Sequence, residues 1–236
     1  MNCLNYRGNN NLNILRELKK FGFWRDLEDK TKEKIINSST YKNYTKDTVL
    51  YPESSQHHLI YLIISGYVVL SKISSDGKEK YLYYLSDGDL INQCAIDGKV
   101  TTTTARVVHD THLMVIHKDT LLALMEEDFN LCFLLLSSLS LNVRRSQRQI
   151  LNLGVYNTSQ RTISKLLKLS RDYGKQMNGY LLIDAPLNQT DLSHMVGASR
   201  ESVNRSLKEL ETKGIISFKG HKIAIIDREK LLDEML

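Results

Sequence analysis

Only three cysteines stand among the 236 residues, Cys3, Cys94 and Cys132, and they lie far apart. That spacing argues against a disulfide framework and suits a reducing, cytoplasmic compartment. Long apolar runs are lacking too: Leu59–Ile64 and Leu131–Leu136 are far too short to span a bilayer, so no membrane association is expected. The N-terminal MNCLNYRGNNNLN has no apolar signal core, and its first ten residues are expected to be loose. There is no internal repeat, low-complexity tract or long linker. Phosphate loop, nucleophile elbow and metalloprotease helix are all missing, so no catalytic residue is assigned and the chain is not expected to be an enzyme. No cofactor or metal is expected. His109 and His112, three apart on a strand, would point to opposite faces, and the adjacent His57-His58 reads as a solvated loop pair. Cys94 and Cys132 read as small hydrophobes rather than redox sensors.

What is present is the composition of a globular protein, 42% apolar and 25% charged, long enough for one large domain or two ordinary ones. The formal net charge of +5 is unevenly placed, for Arg144 to Lys175 holds eight Lys or Arg against the single acid Asp172. The stretch around which the chain is organised runs from Leu187 to Lys222. Asn188 is suited to cap a helix and Asp191 to its electropositive first turn. Leu192, Met195 and Val196 give that helix one apolar face, and Gly197 supplies the left-handed residue that ends it. Ser199 then caps a second helix that turns Val203, Leu207 and Leu210 inward. Arg200, Glu201, Asn204, Arg205 and Lys208 are left facing out. Two short helices meeting at a glycine, the second basic outside, make a helix-turn-helix. A pair used only for packing would not need Arg200, Glu201, Asn204 and Arg205 together on the exposed side of a capped turn. Past Gly214, Ile216 and Phe218, then Ile223 and Ile225, alternate with polar residues around Lys219-Gly220-His221-Lys222. This pattern predicts a β-hairpin with a basic tip, the wing of a winged helix.

At Gly197-Ala198-Ser199-Arg200-Glu201-Ser202-Val203-Asn204-Arg205 the sequence resembles the Crp/Fnr transcription regulators, whose helix-turn-helix ends in Gly-x-Ser-Arg-Glu-Thr/Ser-Val-x-Arg. The resemblance weakens upstream but covers all except roughly the first twenty residues. It implies an α+β architecture: an antiparallel β-roll of double-stranded jelly-roll type, a long dimerisation helix and a winged helix-turn-helix. The domains expected are 1–128 for the effector-sensing β-roll, 129–156 for the dimerisation helix and hinge, and 157–236 for DNA binding. The residues assigned to DNA are Asn188, Gln189, Ser199, Arg200, Glu201, Ser202, Asn204, Arg205 and Lys208, with Lys219 and Lys222 on the wing. Double-stranded DNA with a palindromic site, RNA polymerase, a second copy of the chain and a small effector are the implied partners.

Upstream, short β-rich runs (44–51, 58–64, 67–73, 80–85, 105–108 and 112–116) alternate with glycine turns, as in an antiparallel sandwich or barrel. Helices are predicted around Leu12–Leu18 and Asp26–Ile36, and another after a cap at Asp119. Residues 88–102 align with the family's phosphate-binding cassette. There Gly-Glu-Leu precedes an Arg-Ser pair that holds the cyclic phosphate and ribose. Here Asp89 replaces the glutamate and Thr101-Thr102 stands where Arg-Ser would be. A buried cyclic phosphate needs a fixed positive partner, which Thr101 cannot supply. Arg106 is close in sequence but belongs to the next strand. The effector is therefore expected not to be cyclic AMP. Its candidate contacts are Gly88, Asp89, Leu90, Thr101, Thr102 and, on the long helix, Asn142. The close N-terminal cysteine set of the iron–sulfur members is absent apart from Cys3. The helix 129–153 carries Leu131, Leu135, Leu139, Ile150 and Leu153 along a stripe assigned to dimerisation, interrupted by Ser138, Asn142, Arg145, Ser146 and Gln149. Gly154–Asn157 is the expected hinge, with Asn157 capping the helix that follows. The competing reading is a sensor or scaffold subunit whose β-roll binds a ligand or protein and whose winged helix serves assembly. Retention on specific DNA separates the two.

Overall fold

The computed structural model describes residues 11–235. Cys3 and the first ten residues lie outside that range. Compactness groups residues up to Lys72 with Tyr83–Arg144, and Ile73–Leu82 with everything from Arg145 onward. The division at Arg144/Arg145 falls inside the expected segment 129–156, and residues 73–82 join the C-terminal unit.

The first unit opens with three helices, α1 (Asn11–Leu18), α2 (Gly22–Asp26) and α3 (Asp29–Ser38). The single helix predicted over Asp26–Ile36 is thus two, since Leu27 and Glu28 are extended between them. Strands β1 (Thr40–Tyr44), β2 (Val49–Tyr51), β3 (Leu59–Ile73), β4 (Glu79–Leu85), β5 (Leu90–Ile91) and β6 (Thr104–His117) follow, with a 3-10 turn at Gln93–Asp97. They form one antiparallel sheet in the order β1-β6-β3-β4, with β2 also on β6 and β5 also on β3. The run expected over 44–51 is two strands, parted where Asp47 takes positive φ. Four other predicted runs are halves of two long strands, β3 and β6, which stay paired from Leu59↔His117 to Ser71↔Thr104 through a bulge at Ser65–Tyr67. The glycine that reads as a turn at Gly66 bends the strand without ending it. It sits at φ +115°, and a Cβ there would meet Thr111 Oγ1 at 2.4 Å and Thr111 Cα at 2.7 Å.

The continuous apolar run in β3 follows from burial on both faces, where alternation has no polar side to show. Ile60, Leu62 and Ile64 join Met114 and Ile116 in a core closed by Trp24, Ile35, Leu121 and Leu131. Tyr61 and Ile63 point the other way, into a second core with Tyr51, Val68, Leu85, Val107 and Leu113. Helix α4 (Lys118–Glu127) leads into α5 (Phe129–Val155). The cap of α4 is His117, which accepts from the Asp119 amide; Asp119, the expected cap, instead lies in the electropositive first turn.

The second unit holds α6 (Thr158–Tyr173), β7 (Gly174–Met177), β8 (Tyr180–Ile183), α7 (Gln189–Val196), α8 (Arg200–Thr212), β9 (Ile216–Lys219), β10 (Lys222–Ile225) and α9 (Arg228–Asp233). The wing predicted from the alternation is β9–β10, but it belongs to a four-stranded antiparallel sheet in the order β7-β8-β10-β9. Sequence patterning missed β7 because all four of its residues are exposed. Gly154 does not interrupt α5. The Tyr156 amide still bonds to the Asn152 carbonyl at 3.2 Å, and the break falls just before the Asn157–Gln160 capping box that opens α6. No helix among the described residues is long and apolar enough to cross a membrane.

Replacing Gly66 with alanine forces a Cβ into backbone and strains the φ. We expect a loss of at least about 1–3 kcal/mol, read as a lower urea midpoint at unchanged slope.

Candidate DNA interface and effector site

Helix α7 begins with a closed capping box. Asn188 Oδ1 accepts from the Asp191 amide at 2.9 Å and Asp191 Oδ2 accepts from the Asn188 amide at 3.0 Å. The helix ends at Gly197 (φ 71°, ψ 49°), whose amide donates to the Ser193 carbonyl at 2.8 Å. Ser199 then caps α8 by accepting from the Ser202 amide at 3.2 Å, while its hydroxyl donates to that of Ser202 at 3.1 Å. Ser199 and Ser202, both assigned to DNA, are therefore occupied in building the cap. Leu192, Met195 and Val196 of α7 and Val203, Leu207 and Leu210 of α8 are buried, as their spacing predicts. That fixes which residues α8 turns outward.

Arg200, Glu201, Arg205 and Lys208 are exposed. Its own backbone amide and then the Ser199 hydroxyl hold the Glu201 carboxyl below its usual range, with Arg200 adding to the effect. Asn204, expected to face fully outward, is only half exposed, and its Oδ1 is shielded without a hydrogen-bond partner. Beside this turn, the start of α7 and the wing enclose a groove of about 430 Å³, lined by Asn188, Gln189, Arg200, His221 and Lys222. Thr190 and His221 line it although neither was singled out in the sequence; both flank residues that were. The two wing lysines are not free charges. Lys219 lies over the Tyr180 ring, 5.4 Å from its centroid. Lys222 pairs with Asp184, which also pairs with Lys175, and those two lysines bring the Asp184 carboxyl down to about 2. Tyr180 and Asp184 gave no sequence signal because they belong to, or follow, the unpredicted β7–β8 hairpin.

The six effector candidates have separate roles. Gly88 (φ 85°) turns the chain, donating its amide to the Ile63 carbonyl at 2.8 Å, and Asp89 Oδ2 accepts from the Ser86 amide at 3.0 Å. Leu90 lines an apolar void of about 50 Å³ with Trp24, Leu62 and Leu131. The Thr101 hydroxyl donates to the Pro52 carbonyl at 2.7 Å and accepts from the Ser55 amide at 3.0 Å, so it pins the 52–55 loop. Thr102 is exposed, and the Asn142 carbonyl accepts from the Tyr83 hydroxyl at 3.2 Å. Arg106 makes an ion pair with Asp47 at 3.6 Å.

The histidine read as solvated is the largest surprise of this unit. His57 clusters with Tyr51 and Tyr61, tilted against the first ring (centroids 4.9 Å) and stacked on the second (5.7 Å), with Nε2 2.7 Å from the Tyr61 hydroxyl. Burial raises both tyrosine pKa values and lowers that of His57, to which His58 adds repulsion. Among the described residues no group of three or more His, Cys, Asp or Glu is placed to hold a metal ion. Cys94 is exposed rather than buried, and Cys132 is intermediate.

Known proteins agree with this architecture. Residues 160–234 match the Crp-like helix-turn-helix domain and residues 41–128 the cyclic nucleotide-binding domain. The anaerobic regulatory protein of Bacillus subtilis (strain 168) is 30% identical over 206 residues, 86% of this chain and 87% of that one. A CRP-like cAMP-activated global transcriptional regulator of Mycobacterium tuberculosis is 25% identical over 91% of this chain and 96% of its own. Among solved structures, FixK2 from Bradyrhizobium japonicum superposes with a TM-score of 0.73 at 24% identity, covering 83% of this chain and 96% of that one. With a helix-turn-helix DNA-binding domain behind a cyclic-nucleotide-binding-type sheet domain, the chain belongs to the Crp/Fnr family of transcription regulators.

Proposed function

We propose that the protein is a homodimer that reads a palindromic DNA site, addresses RNA polymerase in the cytoplasm, and is controlled by a small effector other than cyclic AMP. The observation that carries the reading is the capped first turn of α8, which presents Arg200 and Glu201 beside the groove with Arg205 one turn further on. An arginine there can bond two acceptors of guanine at once, and Glu201 can accept from a cytosine amino group. An ion pair between Glu201 and Arg205 would be the plainer use of these charges, yet none joins them among the described residues. Asn188, Gln189 and Lys208 flank that turn, and Lys219 and Lys222 supply phosphate contacts once Lys222 exchanges Asp184 for the backbone of DNA. Half-sites should lie about 34–36 Å apart.

Residues 1–128 serve on this reading as the sensor, 129–156 as dimerisation helix and hinge, and 157–236 as the DNA-binding domain. Dimerisation rests on a stripe that shares Ile150 with the one read in the sequence but not its N-terminal leucines. Leu131 and Leu135 belong to the sheet domain's core, whereas Phe129, Leu136, Val143 and Ile150, seven apart, are 75%, 52%, 56% and 71% exposed. A heptad column of this kind packs against its own copy. The polar interruptions face elsewhere: Ser138 accepts from Gln93 at 3.1 Å, and Gln149 bonds to the Leu82 carbonyl. The effector acts by altering the dimer around α5, and the break at Tyr156–Asn157 passes the change to the spacing of the two α8 helices.

Four outcomes test this reading. Arg200→Ala or Arg205→Ala should relax base preference at defined positions of each half-site, by roughly 1–3 kcal/mol. Lys219→Ala or Lys222→Ala should instead weaken binding to every sequence and flatten its salt dependence. Site selection in which Arg205→Ala keeps the wild-type motif everywhere removes Arg205 from the readout. Val143→Glu should dissociate the dimer in sedimentation and abolish binding to the palindrome; a stable dimer would move the interface elsewhere. Calorimetry at physiological salt should detect no tight cyclic AMP binding, since Thr101 brings no charge and Arg106 is engaged with Asp47. Micromolar or tighter binding would contradict that argument.

A further inference from the structure

Three consecutive residues of β4, all within the second unit, address α7. The Glu79 carbonyl accepts from His194 Nδ1 at 2.9 Å. The Lys80 ammonium donates to the Met195 carbonyl at 2.5 Å. The Tyr81 hydroxyl donates to Asp191 Oδ1 at 3.3 Å, and its ring stacks on His194 with centroids 4.9 Å apart. A cation at the end of a helix meets the negative pole of the macrodipole and one of its four unpaired carbonyls. Here the cation comes from a segment over a hundred residues away in sequence. It also borders the turn itself, for a Cβ on Gly197 would lie 2.8 Å from Lys80 Nζ.

We propose that Lys80 is a positioning residue for DNA reading: it clamps the C-terminal end of α7, and through the Gly197 turn it sets where α8 presents Arg200 and Arg205. The inference rests on the DNA-reading function proposed above. Lys80 contributes by restraining the helix pair in its reading geometry, so that less of the binding energy goes into ordering it. It is not itself a phosphate ligand on this account, because its ammonium is committed to the Met195 carbonyl.

The surroundings of Lys80 give the clamp a pH dependence. From α6 the charges of Lys165 and Arg161 act on it, while its strand neighbours Glu79 and Tyr81 engage His194 and Asp191 of α7. Burial, then Lys165 and Arg161, push its pKa down from 10.5 to about 7. Lys165 is itself brought down to about 8, by burial first and then by Lys168. Between about 7 and the ordinary lysine range, an undocked Lys80 holds a proton that the docked one has released, and the docked side chain keeps its N–H donation to the Met195 carbonyl as a neutral amine. Docking therefore strengthens as pH rises through that interval and is flat below it.

The test compares the full-length protein with Lys80→Met, Lys80→Arg and Tyr81→Phe in two measurements. The first is affinity for the selected palindrome against salt and pH. The second is amide hydrogen exchange at Val196–Ala198 without DNA. Lys80→Met should lose about tenfold in specific affinity, keep the wild-type salt slope, and exchange faster at those amides. Lys80→Arg keeps a cation that cannot release its proton in this range, so it should recover affinity below pH 7 and lose the wild-type rise above it. Unchanged affinity and exchange in Lys80→Met overturns the proposal. A loss accompanied by a salt slope smaller by about one also overturns it, because Lys80 would then be a direct phosphate contact. Should Lys80→Met not fold, Tyr81→Phe decides by the same exchange readout, and wild-type exchange in it counts against the clamp. If the wild-type protein retains no DNA, the function fails separately, while exchange still decides the clamp.

Discussion

The function depends on one tight turn. Gly197 leaves α7 in the left-handed region and Ser199 starts α8, with only Ala198 between them. That economy removes any slack between the two helices, so the apolar faces of α7 and α8 determine the outward face of α8. A side chain at Gly197 would strain φ, and loss of the Ser199 hydroxyl would release a first-turn amide, a change of about 1 kcal/mol. Each effect is modest by itself. Their consequence is geometric, because a small rotation of α8 redirects the exposed Arg200 and Arg205.

The basic face around that turn is held in readiness rather than left bare. Asp184 shares its carboxylate between Lys175 and Lys222, and Tyr180 carries Lys219 against its ring. Exposed ion pairs of this kind contribute at most about 1 kcal/mol, so phosphates can replace Asp184 at little expense. The pairing keeps the wing's side chains extended beside the groove before DNA arrives. Glu201 is different, since its own amide and the Ser199 hydroxyl favour the ionised carboxylate.

In the sheet domain, the two cores on either face of β3 and β6 explain why strand limits were hard to read. A strand buried on both faces shows no alternation, and the Gly66 bend looks like a chain reversal when only the sequence is available. The same double burial hides His57. An adjacent histidine pair before a strand gives no hint that one ring packs against Tyr51 and Tyr61, which are close only in the folded sheet.

The sequence by itself determined the helix-turn-helix, its caps, its buried residues, its exposed residues apart from Asn204, and the wing, because these depend on contacts within a few residues. It determined as well that residue 101 is a threonine and carries no charge toward a cyclic phosphate. Only the tertiary structure decided which stripe of α5 is left uncovered, since Leu131 and Phe133 are equally apolar and differ solely in what packs on them. It also decided that Lys222 meets Asp184, that Thr101 is spent on the 52–55 loop, and that Lys80 reaches the Met195 carbonyl at the end of α7. Each of these joins residues distant in sequence, where local propensity and periodicity carry no information and only the paths of the strands bring the partners together.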